Sequence, residues 1–425
     1  MSASSDALSG ASSDALSEGI YLLKNEASGL YAGVRGAKTA QSVPIVQQEL
    51  HPQGTARHSQ LWHLRPNAAK EGAWTLQNVH SALRMDIMTG RGRAGSPVQQ
   101  CPAETRQDLL VSQLWRPVAS GDDRYTLVNV NSGHLLSVHD DSNAPDATLE
   151  QAAKPAAEAR PAQQWRLERV ESRGETTAFD ALTATVVSSS GGILGSVLGS
   201  LSGAAKQALD AGGGIFEAAA KAIPDSDTPY VRFEGFRGDE FIRFSKRRGI
   251  EAGPRKIADQ FPHLPKPFSD GFDAVGPAAK RGGHTYLGFT RDQAVEFSDK
   301  GHGPVHDAES ILHPGLVQAV GELCDVTGFG AEGGRLVVFG RKDSCTMDPT
   351  RVDLARGSSH QQFLLTAAPD AFGFGPDAAA TAVSDSTAHY FLTKGDEFVV
   401  VSEDKLIQGP ARLTEAYPFL DGLWM

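Results

Sequence analysis

The sequence holds little cysteine: Cys101, Cys324 and Cys345 are the only three in 425 residues, too few for the disulfide framework that stabilises small secreted domains. It has no excess of positive charge. Lys and Arg number 40 against 51 Asp and Glu, a formal net charge of −11, which excludes the basic face that a nucleic-acid partner requires. The acidity is uneven, with 17 basic against 19 acidic residues in 1–175 and 23 against 32 beyond. The N-terminus, MSASSDALSGASSDALSEG, has neither the basic n-region nor the apolar core of a secretory signal. Its echo of SSDALS makes residues 1–17 a disordered polar tail, and the expected location is cytoplasmic unless export is non-classical. Nucleophile elbows, phosphate-cradling glycine loops and zinc helices are also missing, so no enzyme is expected. The glycine-rich GFGAEGG at 328–334 falls between strands rather than between a strand and a helix.

What is present is repetition. Gln-x-Trp recurs as SQLWHL, SQLWRP and AQQWRL, with tryptophans at Trp62, Trp115 and Trp165, a spacing that marks an internally repeated fold. Each Gln-x-Trp closes a unit that opens with alternating apolar residues and a Ser-Gly or Ser-Ala turn: GIYLLKNEASGLYAGV at 19–34, GAWTLQNVHSALRMDI at 72–87 and DRYTLVNVNSGHLLSV at 123–138. Alternation of this kind reads as short half-buried strands joined by tight turns. Four strands per unit and three units predict a twelve-stranded barrel of threefold pseudosymmetry.

These residues resemble the ricin-B-type β-trefoil family, with its pattern Tyr-x-(hydrophobic)-x-Asn-x-x-Ser-Gly, over residues 18–171. Tyr21, Trp74, Tyr125 and the three tryptophans then fill the barrel core, and Gln60, Gln113 and Gln163 hold loops through backbone hydrogen bonds. Sugar binding in the family needs an Asp at the end of the second strand, a stacking aromatic on the next strand and a polar residue near Gln-x-Trp. The Asp position falls on Gly33, Asp86 and Ser137, so the second unit alone keeps the carboxylate. The aromatic position falls near Gln48, Cys101 and Ala152, none of them a ring. The resemblance therefore implies a polar carbohydrate pocket of Asp86, Gln99, Gln100, Asp108 and Gln113, with His139, Asp140, Asp141 and Asn143 of the third unit as a substitute cluster.

Residues 172–213 change character. No charge occurs from Ala181 through Ala205, long enough to span a bilayer, yet the Ser and Gly content and the lack of an aromatic belt argue against insertion. The stretch reads as an interdomain linker with one helix near 191–209.

A second repeat follows: YVRFEGFRGDEFIRFS at 230–245, TYLGFTRDQAVEFSDK at 285–300, RLVVFGRKDSCTMDPT at 335–350 and HYFLTKGDEFVVVSED at 389–404. Each is strand, charged tight turn, strand. Small-residue segments precede three of them at a constant offset: Phe216-Glu217-Ala218-Ala219, Phe272-Asp273-Ala274-Val275 and Pro376-Asp377-Ala378-Ala379. The third unit is weaker, with Cys324-Asp325-Val326. This constellation resembles the hemopexin-like repeat and implies a four-bladed β-propeller over residues 214–425, with small residues innermost round a narrow channel. The resemblance also implies an ion, calcium or sodium, on the channel axis. Glu217, Asp273, Asp325 and Asp377 are the positions for it, against the alternative that backbone N–H groups satisfy these carboxylates. Haem is not expected: Gly303 and Pro304 separate His302 from His306, so no helical ligand pair forms.

The fold expected is thus all-β, a β-trefoil followed by a four-bladed propeller. The function expected is two-module recognition, with a glycan or glycoprotein on the trefoil and a protein or small cationic ligand on the propeller. A protein-interaction scaffold or protease-inhibitor-like trefoil, and a toxin-like protein inserting residues 181–205 into membranes, are the alternatives.

Overall fold

A computed structural model of the chain describes residues 16–170 apart from 53, 88–91, 105–109, 122 and 156–157; residues 178–187; residues 230–312 apart from 279–285; and residues 323–329, 335–340, 344–347, 361–362, 368–369, 372, 376–384, 387–402 and 405–423. It is all-β with a few short helices. No helix among the described residues is long and apolar enough to cross a membrane.

The first half is the trefoil. Its units are β1 (Gly19–Asn25), β2 (Tyr31–Val34), β3 (Ile45–Gln48) and β4 (Trp62–Pro66); β5 (Trp74–Asn78), β6 (Arg84–Ile87), β7 (Ser96–Cys101) and β8 (Leu114–Ala119); and β9 (Arg124–Asn129), β10 (Leu135–Val138), β11 (Leu149–Ala152) and β12 (Trp165–Arg169). The outer strands of each unit close a six-stranded ring through the pairs β12–β1, β1–β4, β4–β5, β5–β8, β8–β9 and β9–β12. The inner strands form the hairpins β2–β3, β6–β7 and β10–β11.

Local chemistry explains why the unit repeats. Asn25, Asn78 and Asn129 each accept the N–H groups two and three residues ahead, the Asx turn that a short amide side chain offers. Ser28, Ser81 and Ser132 then donate to Gln47, Gln100 and Gln151 at 2.7 Å in all three units. Trp62, Trp115 and Trp165 are fully buried in one core with Leu23, Leu76 and Leu127. Each indole N–H donates to a carbonyl of its own unit: Ala32, Met85 and Leu136.

The second half forms four separate four-stranded antiparallel sheets. They are β13 (Ala181–Val187), β14 (Tyr230–Arg237), β15 (Glu240–Ser245) and β16 (Gly249–Lys256); β17 (Ala274–Pro277), β18 (Tyr286–Phe289), β19 (Gln293–Ser298) and β20 (Gly301–Asp307); β21 (Leu323–Phe329), β22 (Arg335–Gly340), β23 (Ser344–Met347) and β24 (Gln361–Gln362); and β25 (Ala378–Ser384), β26 (Thr387–Lys394), β27 (Glu397–Val401) and β28 (Leu406–Arg412). The leading strands β13, β17, β21 and β25 contact one another.

One expectation is corrected here. The strand that pairs with β14 over its whole length is Ala181–Val187, inside the stretch expected as linker. Residues 216–219, Glu217 among them, and the helix expected near 191–209 lie outside the described residues. The physical reason is an insertion: 42 residues separate Val187 from Tyr230, whereas the second and fourth sheets join the same two strands by short connections. A constant offset therefore selected the wrong partner.

Candidate functional site

In the second trefoil unit, β6 and β7 pair in register so that Asp86 faces Gln99, Met85 faces Gln100 and Arg84 faces Cys101. Because side chains alternate along a strand, Asp86, Gln99 and Cys101 share one face and Gln100 lies on the other. Gln113, from the 3₁₀ turn Val111–Gln113, donates Nε2 to Asp86 Oδ2 at 3.2 Å and to the Pro102 carbonyl at 2.9 Å. Gln99 Nε2 donates to Cys101 Sγ at 3.3 Å. Asp86 Oδ1 is buried and has no hydrogen-bond partner among the described residues, which leaves an acceptor in place. Burial, and after it the Asp86 charge, pushes the Cys101 thiol up to about 11, so it stands beside the carboxylate as neutral S–H.

Gln100 is removed from the candidate set. It is fully buried, its Oε1 accepts from Ser81, and its Nε2 donates to the Lys38 and Ala40 carbonyls at 2.9 and 2.7 Å. With both ends of the amide used, nothing remains for a ligand. Asp108 lies outside the described residues.

The other two units are closed in different ways. In the first, a Cβ on Gly33 would stand 2.9 Å from Gln60 Cγ and 3.0 Å from Gln48 Oε1, so no acidic side chain fits. In the third, Ser137 is buried and hydrogen-bonded to backbone. Its substitute cluster is paired within itself: His139 Nδ1 lies 2.6 Å from Glu150 and Nε2 3.3 Å from Asp140, and Arg160 holds Asp141 at 2.8 Å. Glu150 raises the His139 pKa above the ordinary histidine value. Asn143 is exposed nearby.

At the centre of the four sheets the third one supplies a carboxylate where the others have Ala181, Ala274 and Ala378. Asp325, fully buried, accepts the backbone N–H of Leu182 at 3.1 Å, Val275 at 3.1 Å, Val326 at 2.8 Å and Ala379 at 2.7 Å. One donor comes from each leading strand. Burial raises the pKa of this carboxyl well above the ordinary range and the four amides pull it down. Each oxygen already receives two N–H groups, so a proton binds only by displacing one, which favours the carboxylate. Converging N–H donors are the surroundings of an anion, and the expectation of Asp325 as a cation ligand is corrected accordingly.

Around it, Asp180, Asp273 and Asp377 line a cavity of about 580 Å³ together with Phe179, Phe272 and Cys324. Asp180 accepts the N–H of Gly238, and Asp377 that of Gly395, both at 2.6 Å. Each carboxylate thus fastens its strand to the hairpin turn of its own sheet, where glycine supplies positive φ. Asp377 also pairs with Lys394 at 3.4 Å. Among the described residues no group of three His, Cys, Asp or Glu side chains is placed to hold a metal. Asp180 escaped the sequence reading, although Phe-Asp-Ala at 179–181 and 272–274 is an identical tripeptide.

Comparison with known proteins agrees with the first half. The family model for ricin-type β-trefoil lectin domain-like sequences matches residues 12–106 and 111–192, which supports a ricin-type β-trefoil lectin-like domain in the first half of the chain. No curated protein matches the chain. Among solved structures, a designed threefold-symmetric protein, ThreeFoil, is 27% identical over 36% of this chain and 99% of its own, with a TM-score of 0.31. The Rhizoctonia solani agglutinin is 18% identical over 36% and 97%, TM-score 0.31. The C-half of the earthworm R-type lectin, solved with GalNAc, is 14% identical over 36% and 98%, TM-score 0.27.

Proposed function

We propose that the chain is a non-enzymatic recognition protein whose trefoil binds a glycan through its second unit. The observation that carries this reading is the Asp86 carboxylate, fixed by Gln113 at Oδ2, with Oδ1 buried beside the Cys101 thiol, where a sugar hydroxyl reaches it by displacing that neighbour. A fixed carboxylate accepts from two neighbouring sugar hydroxyls, and Gln99 adds polar contacts on the same face. Without a stacking ring the pocket forfeits roughly 0.5–1.5 kcal/mol, so a monosaccharide binds weakly and retention relies on multivalent glycans.

The four sheets are proposed to form a hemopexin-like four-bladed propeller. The support is Asp325, which collects one amide from each leading strand and so acts as the axis round which they pack. That end of the axis carries its own fixed anion, and the body as a whole acts as a docking partner for protein. A protein-binding trefoil is the second reading, favoured by the closure of the first unit and the self-pairing of the third.

The test is retention of the full-length protein on a glycan array beside an Asp86→Ala variant of unchanged circular dichroism. Loss of retention in the variant supports the lectin reading. Retention that survives Asp86→Ala moves the site elsewhere, and no retention by the wild type favours the protein-binding trefoil.

A further inference from the structure

Three histidines from different elements of the trefoil are buried. His58 ends the short helix Gly54–His58, His63 is in β4 and His80 is in the turn after β5; they are 3%, 1% and 7% exposed. The second half of the chain covers them. Ile20, Leu22, Leu61, Val79 and Val170 of the trefoil share one apolar cluster with Phe244, Ile250, Phe419 and Leu423. The His63 ring meets Phe419 at a centroid distance of 4.9 Å, and a Cβ on Gly249 would stand 2.9 Å from His63 Nδ1. Pro254 backbone lies beside both His58 and His80.

Charged groups are present on every side of this seam, and most are cations. Arg57 and His80 face His58; Arg255 and Asp259 face His80; Glu18, at 3.0 Å, and Arg65 face His63, and Lys246 faces Glu18 and Arg65. Arg65 crosses the seam to the Arg247 and Lys246 carbonyls at 2.5 and 2.8 Å, and Arg255 crosses in return to the His80 carbonyl at 3.1 Å. The His58 ring lies against the Leu423 and Pro254 backbone, and the His80 ring against the Pro254 and Ala37 backbone.

We propose that this seam is an acid-released dock, from which protonation of His58, His63 and His80 frees the trefoil. Each proton adds charge to an apolar seam already holding Arg57, Arg65, Arg255 and Lys246, whereas in the separated state water solvates the imidazolium. Glu18 offsets the added charge for His63 and Asp259 offsets part of it for His80, whereas His58 faces only cations and His80. Burial lowers all three histidines below their ordinary value, His58 to about 4. A lowered histidine binds its proton more readily once exposed, so docking is complete above about pH 6.5 and weakens progressively as pH falls towards about 4.

Small-angle scattering of the full-length protein from about pH 7.5 to about pH 4.5, with far-ultraviolet circular dichroism at each pH, tests the proposal. The radius of gyration is expected to rise as pH falls while the dichroism is unchanged, and the midpoint is expected to drop by about one pH unit in His58→Leu/His80→Leu. If that variant does not fold, His80→Gln serves in its place with a smaller drop. A folded protein that stays compact throughout, an unshifted midpoint in the variants, or expansion only together with loss of the dichroism overturns it.

Discussion

Asp325 Oδ2 accepts the backbone N–H of Ala379 at 2.7 Å, tying the third sheet to the fourth across 54 residues of chain. The same side chain reaches the first and second sheets through Leu182 and Val275. A buried N–H left without its partner costs about 1–3 kcal/mol. Asp325→Ala orphans several at once, so it is expected to lower stability by more than about 3 kcal/mol in urea unfolding. A loss below about 0.5 kcal/mol would show that the sheets hold together without this centre.

Gln100 and Asp86 sit one strand apart on opposite faces, and their variants are expected to separate fold from recognition. Gln100→Ala breaks the link from Ser81 to the Lys38 and Ala40 carbonyls and is expected to cost about 1–3 kcal/mol, with glycan retention intact. Asp86→Ala is expected to do the reverse. Equal effects of the two on retention would place Gln100 back in the pocket.

The Cys101 thiol reports on Asp86. A thiol titrating at about 11 is ionised to about one part in a thousand at about pH 8, so alkylation in the native protein is expected to be slow. Asp86→Asn removes the negative charge, favours the thiolate and is expected to speed the reaction several-fold. An unchanged rate constant in that variant would separate the two side chains.

His139 gives the opposite sign. Its hydrogen bond and charge interaction with Glu150 raise its pKa, so the pair is formed below the ordinary histidine value and is lost as pH rises through the raised one. Nuclear magnetic resonance titration of the His139 ring is expected to show that elevation, and Glu150→Gln to return the value towards about 6.5. No change on substitution would break the pairing.

Much of the trefoil is legible in the chain because its determinants are local. Asn25, Asn78 and Asn129 fold their turns with amides two and three residues ahead, and the three tryptophans recur at the spacing of the unit they close. Alternation along β7 also separates Gln99 from Gln100, a signal the sequence contained and the initial candidate pocket did not use. The hairpins of the second half were legible for the same reason: an alternating strand, a turn glycine such as Gly238 or Gly395, and another strand.

The sequence by itself therefore determined the all-β class, the three trefoil units and the second-unit carboxylate, since short-range hydrogen bonds and side-chain periodicity act within a few residues. Tertiary structure alone decided that Ala181–Val187, 42 residues before its neighbour Tyr230, is the leading strand of the first sheet. It also decided that four separate strands converge on Asp325 and that His58, His63 and His80 are buried beneath the second half of the chain, His63 against Phe419. These depend on which distant surfaces pack together, and packing is chosen by complementary shape and burial over the whole chain, for which no residue's neighbours in sequence carry a signal.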